Sequence, residues 1–414
     1  MDLDACGELL MSMYGTQDAP ANWEASYTAT MIAMGFKQGK ASPCHFVKPE
    51  GALLPTMVHG DDFFVTDTKS QLEWFRDTLA KTYEIKSQMI GPWNGADKSM
   101  RVLGRVIQYT ADGIWYEADP RHIEAGLRAF SMEECKPYAT PYSADHSQEA
   151  HGDLNTRRRN AQTERPEDQV PADPEDRELG PEETTRYQSV AARFNYLAQD
   201  RPDLQFAVKE IMRAMSKPCD SDEGRLKRLL RYAQGTRRII HTIPFEGLED
   251  SITVFVDSSF AGCMKTRKST SGGCAMWASC LVKSWSKTQS TIALSSGEAE
   301  LAAVVKGATE ALGLQAILED FGIPVNLHLR SDATAAIGMV KREGLGKVRH
   351  LATADLWIQQ KVRRGHIKVS KVPGKDNPSD MMTKGLEGPD INKHLQTIMA
   401  VKASGRHPLA PDLD

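Results

Sequence analysis

The stretch SITVFVDSSF, residues 251–260, alternates apolar and polar side chains up to an aspartate. Ile252, Val254 and Val256 share one face of the predicted strand, because successive side chains of a strand point to opposite sides. The segments GGCAMWAS (272–279) and CLVKSWSK (280–287) are also typical of strands. Together the three segments predict a meander whose first strand ends at Asp257.

A long helix is predicted after this meander. Ser295 and Glu298 form the capping-box pattern that begins a helix, and Gly322 ends it. Apolar residues at three-to-four spacing give its buried face: Leu301, Val304, Val305, Ala308, Leu312 and Leu318. VNLHLRSD (325–332) and HIKVSKVPG (366–374) predict two further strands, with a helix at 333–341 between them. Five strands alternating with helices indicate the α/β class.

Acids recur where these strands end. Asp257 closes the first strand and Asp332 the fourth, so they lie side by side if those strands pair. The long helix carries Glu300, and Asp380 lies near the C-terminal turn. Converging carboxylates repel each other unless divalent ions neutralise them, and two such ions are the machinery of phosphodiester hydrolysis. Taken singly, each aspartate has an alternative as an ordinary strand-end or helix-cap acid.

Residues 251–386 closely resemble the ribonuclease H domain of copia-type retrotransposon polyproteins. The most specific motifs are RKSTSG (267–272), ALSSGEAE (293–300) and SDMMTKGL (379–386). The resemblance implies a mixed five-stranded sheet flanked by helices, and Mg²⁺- or Mn²⁺-dependent cleavage of the RNA strand of an RNA–DNA hybrid. It places the metal-binding catalytic acids at Asp257, Glu300, Asp332 and Asp380. We expect phosphate contacts from Lys265, Arg267, Lys268 and Arg349.

A second acidic feature lies upstream, in MVHGDDFFVTD (57–67). Apolar residues on both sides of Gly60 and Asp61 predict a β-hairpin, with Asp61 and Asp62 at its tip. Adjacent anions favour a bound cation, although a simple polar turn is the alternative.

The family resemblance extends to this hairpin through SMYGTQDAPANWE (12–24), VLGRVIQY (102–109) and CKPYATP (135–141). It makes Asp61 and Asp62 metal-ligand candidates in the Asp-Asp loop of a reverse transcriptase. His59 and Gly60 stand where the family usually has tyrosine and valine. In the family a third aspartate lies on a strand well upstream of the Tyr14-Gly15 segment, so we expect an incomplete polymerase that does not extend primers alone.

The predicted domain order is a partial reverse transcriptase palm and thumb of α+β type (1–144), a linker (145–185), a helical connection (186–248), a ribonuclease H-like domain (249–388) and a tail (389–414). The linker is predicted to be flexible because it holds many charges and prolines and almost no large apolar residues. In the connection, RLKRLLRYAQGTRR (225–238) makes Arg228 and Arg231 candidates for nucleic-acid binding, with a solvated helix face as the alternative.

The net charge of −4 and the pI of about 6.3 exclude a global basic field, so any polyanion site must be local. Seven cysteines without a C-x-x-C pair argue against a disulfide framework or a structural zinc site. Because no uninterrupted apolar run approaches a membrane span, we expect an intracellular protein of cytoplasm or nucleus. The expected partners are an RNA–DNA hybrid and other parts of a Pol polyprotein. The open alternatives are an inactive or repurposed nucleic-acid-binding remnant and a DNA-strand transferase of related fold.

Overall fold

The computed structural model describes residues 12–13, 15–51, 53–143, 176–245, 247, 249–346 and 356–413. Residues 145–175 of the predicted linker and Arg349 therefore lie outside the described residues. The chain divides into two compact units, Met1–Gln88 with Gly313–Pro324, and Met89–Leu312 with Val325–Asp414.

The first unit contains the predicted hairpin. Its elements are α1 Ala19–Ala33, β1 Lys37–Gln38, β2 His45–Val47, β3 Thr56–His59, β4 Asp62–Val65 and α2 Lys69–Leu79, and the strands form one antiparallel sheet in chain order. Strands β3 and β4 pair His59 with Asp62, which leaves Gly60 and Asp61 as a two-residue turn. Gly60 has a φ of +58°, which glycine adopts at little cost. The hairpin prediction is confirmed.

The second unit contains most of the helices. They are α3 Arg121–Ala129, α4 Pro181–Leu197, α5 Gln205–Met212, α6 Asp220–Gly235, α7 Ser296–Asp320 (its last turns belong to the first unit), α8 Thr334–Lys341, α9 Trp357–Arg363 and α10 Gly388–Thr397. The helical character predicted for 187–235 is confirmed. Helix α4, however, begins inside the predicted linker. Two local features stabilise the N-terminus of α4: a proline in its first turn, and the Glu183 carboxylate, which accepts from the Gly180 N–H at 2.8 Å. The average composition of the linker does not reveal this helix start.

Its strands are β5 Ser99–Val102, β6 Arg105–Tyr109, β7 Gly113–Glu117, β8 Arg238–Pro244, β9 Ser251–Ser259, β10 Thr270–Trp277, β11 Cys280–Thr288, β12 Asn326–Ser331, β13 Ile367–Lys371 and β14 Ala400–Ala403. Five of them form a sheet in the order β11-β10-β9-β12-β13. The β9–β10 and β10–β11 pairs are antiparallel, whereas β12 is parallel to both β9 and β13. The predicted mixed five-stranded sheet is confirmed.

A second five-stranded sheet has the order β14-β8-β7-β6-β5 and is antiparallel throughout. It joins strands from three of the predicted domains, 1–144, 186–248 and 389–414, and contains no strand from the predicted ribonuclease H-like domain 249–388. The predicted tail 389–414 contains β14 and all of α10 except its first residue. Strand β14 has four residues, and its partner β8 lies more than 150 residues earlier in the chain. A pattern this short does not indicate which strand it pairs with.

Both faces of the mixed sheet are covered. Helix α7 lies on one face, where a Cβ at Gly307 would come within 2.4 Å of Val256, so glycine permits the close approach. By length and composition α7 could also cross a membrane, but here its apolar residues Leu301, Val304 and Ala308 are buried inside the fold. The opposite face carries a core of Cys274, Met276, Met381, Met382, Ile239, Ile391, Leu395, Ile398 and Ala400.

Candidate metal centre

Three of the four predicted acids converge at one edge of the mixed sheet. Parallel pairing of Phe255 with Arg330 brings the ends of β9 and β12 together, and with them Asp257 and Asp332. Glu300 reaches the same point from the beginning of α7. Ligand oxygens of Asp257, Glu300 and Asp332 all lie within 4.8 Å of one another.

The start of α7 explains why Glu300 is available to this cluster. The Ser295 hydroxyl accepts from the Glu298 N–H at 3.3 Å, and the Glu298 carboxylate accepts from the Leu294 N–H at 3.0 Å. The Ser295 half of the predicted capping box is therefore present, while the Glu298 carboxylate binds the N–H of the residue before the N-cap. Glu298 is therefore used by the cap, while Glu300, two residues on, points in a different direction.

Asp380 lies beside the cluster on a 3₁₀ turn, Pro378–Met382. Lys384 Nζ is 3.0 Å from Asp380 Oδ2 and 3.9 Å from Asp257 Oδ2, so one ammonium group bridges the two acids. The Thr383 hydroxyl donates to Asp257 Oδ2. Asn377 holds the turn in place, because its side-chain amide donates to the Val256 carbonyl at 3.0 Å.

Sequence reasoning missed Thr383, Lys384 and Asn377. The motif SDMMTKGL contained the signal, since a lysine four residues after an aspartate lies on the same side of a helical turn. Gly272, in the RKSTSG motif, permits this arrangement: a Cβ there would lie 2.5 Å from Thr383 Cγ2.

The electrostatics of the cluster favour a divalent cation. Burial and the nearby Asp257 and Asp332 carboxylates raise the pKa of Glu300 to about 9. Burial and Asp257 also raise the pKa values of Asp332 and Asp380. Burial lowers the pKa of Lys384, but the charges of Asp257 and Asp380 outweigh it, so the net shift is upward.

The residues present also fit such an ion chemically. Among the described residues, Glu300 Oε2 and Asp380 Oδ1 are buried without a hydrogen-bond partner. Buried carboxylate oxygens without donors are costly unless a cation binds them. Oxygen ligands of this kind suit Mg²⁺ or Mn²⁺.

In the absence of divalent cations, the free energy of unfolding is expected to fall as the pH rises from about 5 to about 9. Glu300 keeps its proton up to about pH 9 in the folded chain but loses it near 4.5 when unfolded. The folded chain binds more protons in this window, so the stabilisation present below pH 4.5 is lost as the pH rises through 9. Each such proton contributes about 1.4 kcal/mol per pH unit.

Urea unfolding in EDTA at several pH values measures this slope. Glu300→Gln should reduce the slope of the free energy of unfolding against pH by the contribution of about one proton. Equal slopes in the variant and the parent chain would contradict the raised pKa of Glu300.

The basic residues near this edge form one turn after β9. The Cys263 carbonyl accepts from the Arg267 N–H at 2.7 Å, and the Cys263 N–H donates to the Lys268 carbonyl at 3.2 Å. Lys265 is exposed, and Arg267 and Lys268 are half-buried. The turn thus presents positive charge at the end of the strand that carries Asp257.

Arg228 and Arg231 have intramolecular partners. Both guanidinium groups lie over the Tyr138 ring, at 5.1 and 5.0 Å from its centroid, and Arg228 donates to the Thr140 hydroxyl at 2.7 Å. The structure therefore gives these arginines a packing role that the sequence did not predict.

At the other acidic feature, Asp61 and Asp62 are exposed at the hairpin tip. The Trp23 indole N–H donates to the Gly60 carbonyl at 2.8 Å and so holds the turn against α1. Among the described residues, no third carboxylate joins this pair as closely as the acids of the other site join one another.

The chain is similar in sequence to Pol polyproteins of plant transposons over more than 90% of its length. Over 385 residues, 91% of its length, it is 25% identical to the "Retrovirus-related Pol polyprotein from transposon TNT 1-94" of Nicotiana tabacum, of which it covers 27%. Over 400 residues, 95% of its length, it is 24% identical to the corresponding polyprotein from transposon RE2 of Arabidopsis thaliana, of which it covers 25%. No family model matches the chain.

A foamy viral protease-reverse transcriptase, solved in complex with dsDNA, is similar over 87% of this chain and 60% of its own, with 12% identity and a TM-score of 0.45. The chain spans about a quarter of the length of the curated relatives it matches. Their similarity covers nearly all of it, including the part that carries the acidic cluster. The chain is therefore similar, over nearly all of its length, to copia-type, retrovirus-related Pol polyproteins from transposons.

Proposed function

We propose that this chain hydrolyses the RNA strand of RNA–DNA hybrids with Mg²⁺ or Mn²⁺. The observation that carries the proposal is the convergence of Asp257, Glu300 and Asp332 at the edge of the mixed sheet, within 4.8 Å. The similarity of the chain to Pol polyproteins from transposons and the ribonuclease H motifs of residues 251–386 support it further.

The side chains around the cluster have separate roles in this proposal. Divalent ions held by the acids supply an activated water and stabilise the leaving oxygen of a phosphodiester. Asp257 is the central ligand, because it faces Glu300 and Asp332 on one side and the Asp380–Lys384 pair on the other. The Thr383 hydroxyl, by donating to Asp257 Oδ2, fixes the orientation of that carboxylate.

Recognition of the hybrid is proposed to rest on its backbone. The turn with Lys265, Arg267 and Lys268 follows the strand that carries Asp257, and we propose that its positive charges contact phosphates of a bound strand. Phosphate and 2′-hydroxyl contacts carry no base information, so cleavage of any sequence is expected.

A substrate panel tests the proposal. The purified chain is incubated with end-labelled RNA–DNA hybrid, single-stranded RNA, duplex RNA and duplex DNA, each with Mg²⁺, Mn²⁺ or EDTA. We expect cleavage of the RNA in the hybrid alone, and only with a divalent ion. Binding of the hybrid without cleavage would favour an inactive remnant, and cutting or joining of duplex DNA would favour a strand transferase; either result contradicts the proposal.

We propose further that the hairpin part does not extend a DNA primer by itself. Asp61 and Asp62 are two exposed carboxylates, and among the described residues no third one completes a set like that of the other site. Phosphoryl transfer by two ions requires ligands that clamp both. Primer extension on an RNA template, with the Asp61→Asn, Asp62→Asn double variant as control, should give no product. Extension by the parent chain that disappears in the variant would overturn this proposal.

A further inference from the structure

We propose that Lys384 competes with divalent cations for Asp257 and Asp380 and so makes the two sides of the metal centre unequal. The inference deepens the proposed function and rests on it, since it concerns the same acids. On one side, Asp257, Glu300 and Asp332 come together, and among the described residues Lys384 forms no ion pair with Glu300 or Asp332. On the other, the Lys384 ammonium lies 3.9 Å from Asp257 and 3.0 Å from Asp380 and offsets part of their negative charge.

The distances support this difference. Lys384 Nζ lies 3.0 Å from Asp380 Oδ2, which is hydrogen-bonding distance, and 3.9 Å from Asp257 Oδ2. The Lys384 N–H donates to the Asp380 carbonyl at 3.2 Å, so the backbone places the side chain over that acid. The ammonium is thus built into the turn that carries Asp380.

Exposure indicates which partner can move. The Lys384 side chain is 36% exposed, whereas those of Asp257 and Asp380 are 6% and 13% exposed. Lysine carries its charge on a flexible four-carbon stem, so the ammonium can leave the acids for solvent or for a phosphate. The acids are held by Thr383, by the β9 backbone and by the 3₁₀ turn.

Binding of a second cation, at Asp257 and Asp380, therefore carries a free-energy cost that binding of the first cation does not. Like charges within about 4–6 Å repel, so an ion that binds Asp257 and Asp380 must displace the ammonium. A phosphate of a bound strand offers the displaced ammonium a new partner. Lys384 is in this sense a positioning residue, which links occupancy of the Asp380 side to the presence of nucleic acid.

Mg²⁺ titration calorimetry of the full chain tests the competition. Lys384→Met keeps the length of the side chain but removes its charge, and Lys384→Arg keeps the charge. As a control, Lys393→Met removes an exposed lysine whose ion pair is with Asp376, at 2.9 Å, and not with one of the four acids. The Lys384→Met chain should bind the more weakly held of its two Mg²⁺ ions about tenfold more tightly than the parent chain does. Lys384→Arg and Lys393→Met should resemble the parent.

A second measurement uses the unmodified chain and so does not depend on a variant that folds. Acylation of lysines by a water-soluble ester, followed residue by residue by mass spectrometry, should be faster at Lys384 in Mg²⁺ than in EDTA, because the ion expels the ammonium. Lys393 should react equally in both.

Unchanged or weaker Mg²⁺ affinity in folded Lys384→Met, or equal labelling of Lys384 with and without Mg²⁺, would overturn the inference. If the parent chain does not cleave the hybrid, but the affinity gain in Lys384→Met and the faster acylation of Lys384 in Mg²⁺ are both observed, only the proposed function is overturned. No Mg²⁺ binding by the parent or by any variant would overturn both.

Discussion

Asp257→Asn is expected to lower the rate of RNA cleavage in a hybrid by about a thousandfold, equivalent to about 4 kcal/mol of transition-state stabilisation. The amide has nearly the same shape, but it cannot serve as an anionic ligand between Glu300 and Asp332 on one side and Lys384 on the other. Denaturing gels of end-labelled RNA under single-turnover conditions measure the rate.

The fold of this variant should be intact. Asp257 is 4% exposed, and its charge disfavours ionisation of Glu300 and Asp332 in the metal-free chain, which raises the pKa of both groups. Neutralising Asp257 removes this unfavourable effect, so the melting temperature in EDTA should not fall. Asp376→Asn is the matched control, because Asp376 is exposed and pairs with Lys393. A parental cleavage rate in Asp257→Asn would remove Asp257 from the catalytic centre.

Deletion of residues 389–414 is expected to abolish cooperative folding of the second unit. The deletion takes Ile391, Leu395 and Ile398 out of the core that covers the mixed sheet, and it removes β14, one of the two strands that pair with β8. Each large buried side chain contributes about 2–5 kcal/mol, so the loss is comparable to the whole stability of a typical domain, about 5–15 kcal/mol. Circular dichroism during thermal unfolding should show no sharp transition.

A single substitution in the same core should cause a smaller loss of stability than the deletion does. Leu395 is 2% exposed, so Leu395→Ala should lower the free energy of unfolding by about 2–5 kcal/mol. Leu409 is 41% exposed, and Leu409→Ala should change it by less than about 0.5 kcal/mol. A truncated chain with the parental melting temperature would restore the domain boundary at residue 388 that the sequence suggests.

The mixed sheet was predictable because its strands carry local patterns. The alternation in β9 and the capping box before α7 are readable within ten residues, and both predict elements that the structure contains. The second sheet was not predictable in this way. Its strands come from 99–117, 238–244 and 400–403, and their pairing depends on packing between distant segments.

The four acids of the site were predicted from the sequence, whereas Lys384 was missed although its spacing from Asp380 carries a signal. Carboxylates at strand ends indicate a metal because their repulsion needs an explanation, whereas a lysine in a polar turn usually faces solvent. Arg201 and Asp203 were missed as well. Arg201 is 1% exposed and donates to Asp203 at 2.8 and 2.7 Å inside the second unit, a buried pair for which the sequence gives no signal.

Anomalous diffraction from crystals of the chain grown with Mn²⁺ tests the central claim most directly, because it locates the ion without reference to activity. The account predicts a peak about 2.1 Å from carboxylate oxygens of Asp257, Glu300 and Asp332. A peak at Asp61 and Asp62 alone, or none near the edge of the mixed sheet, would contradict it.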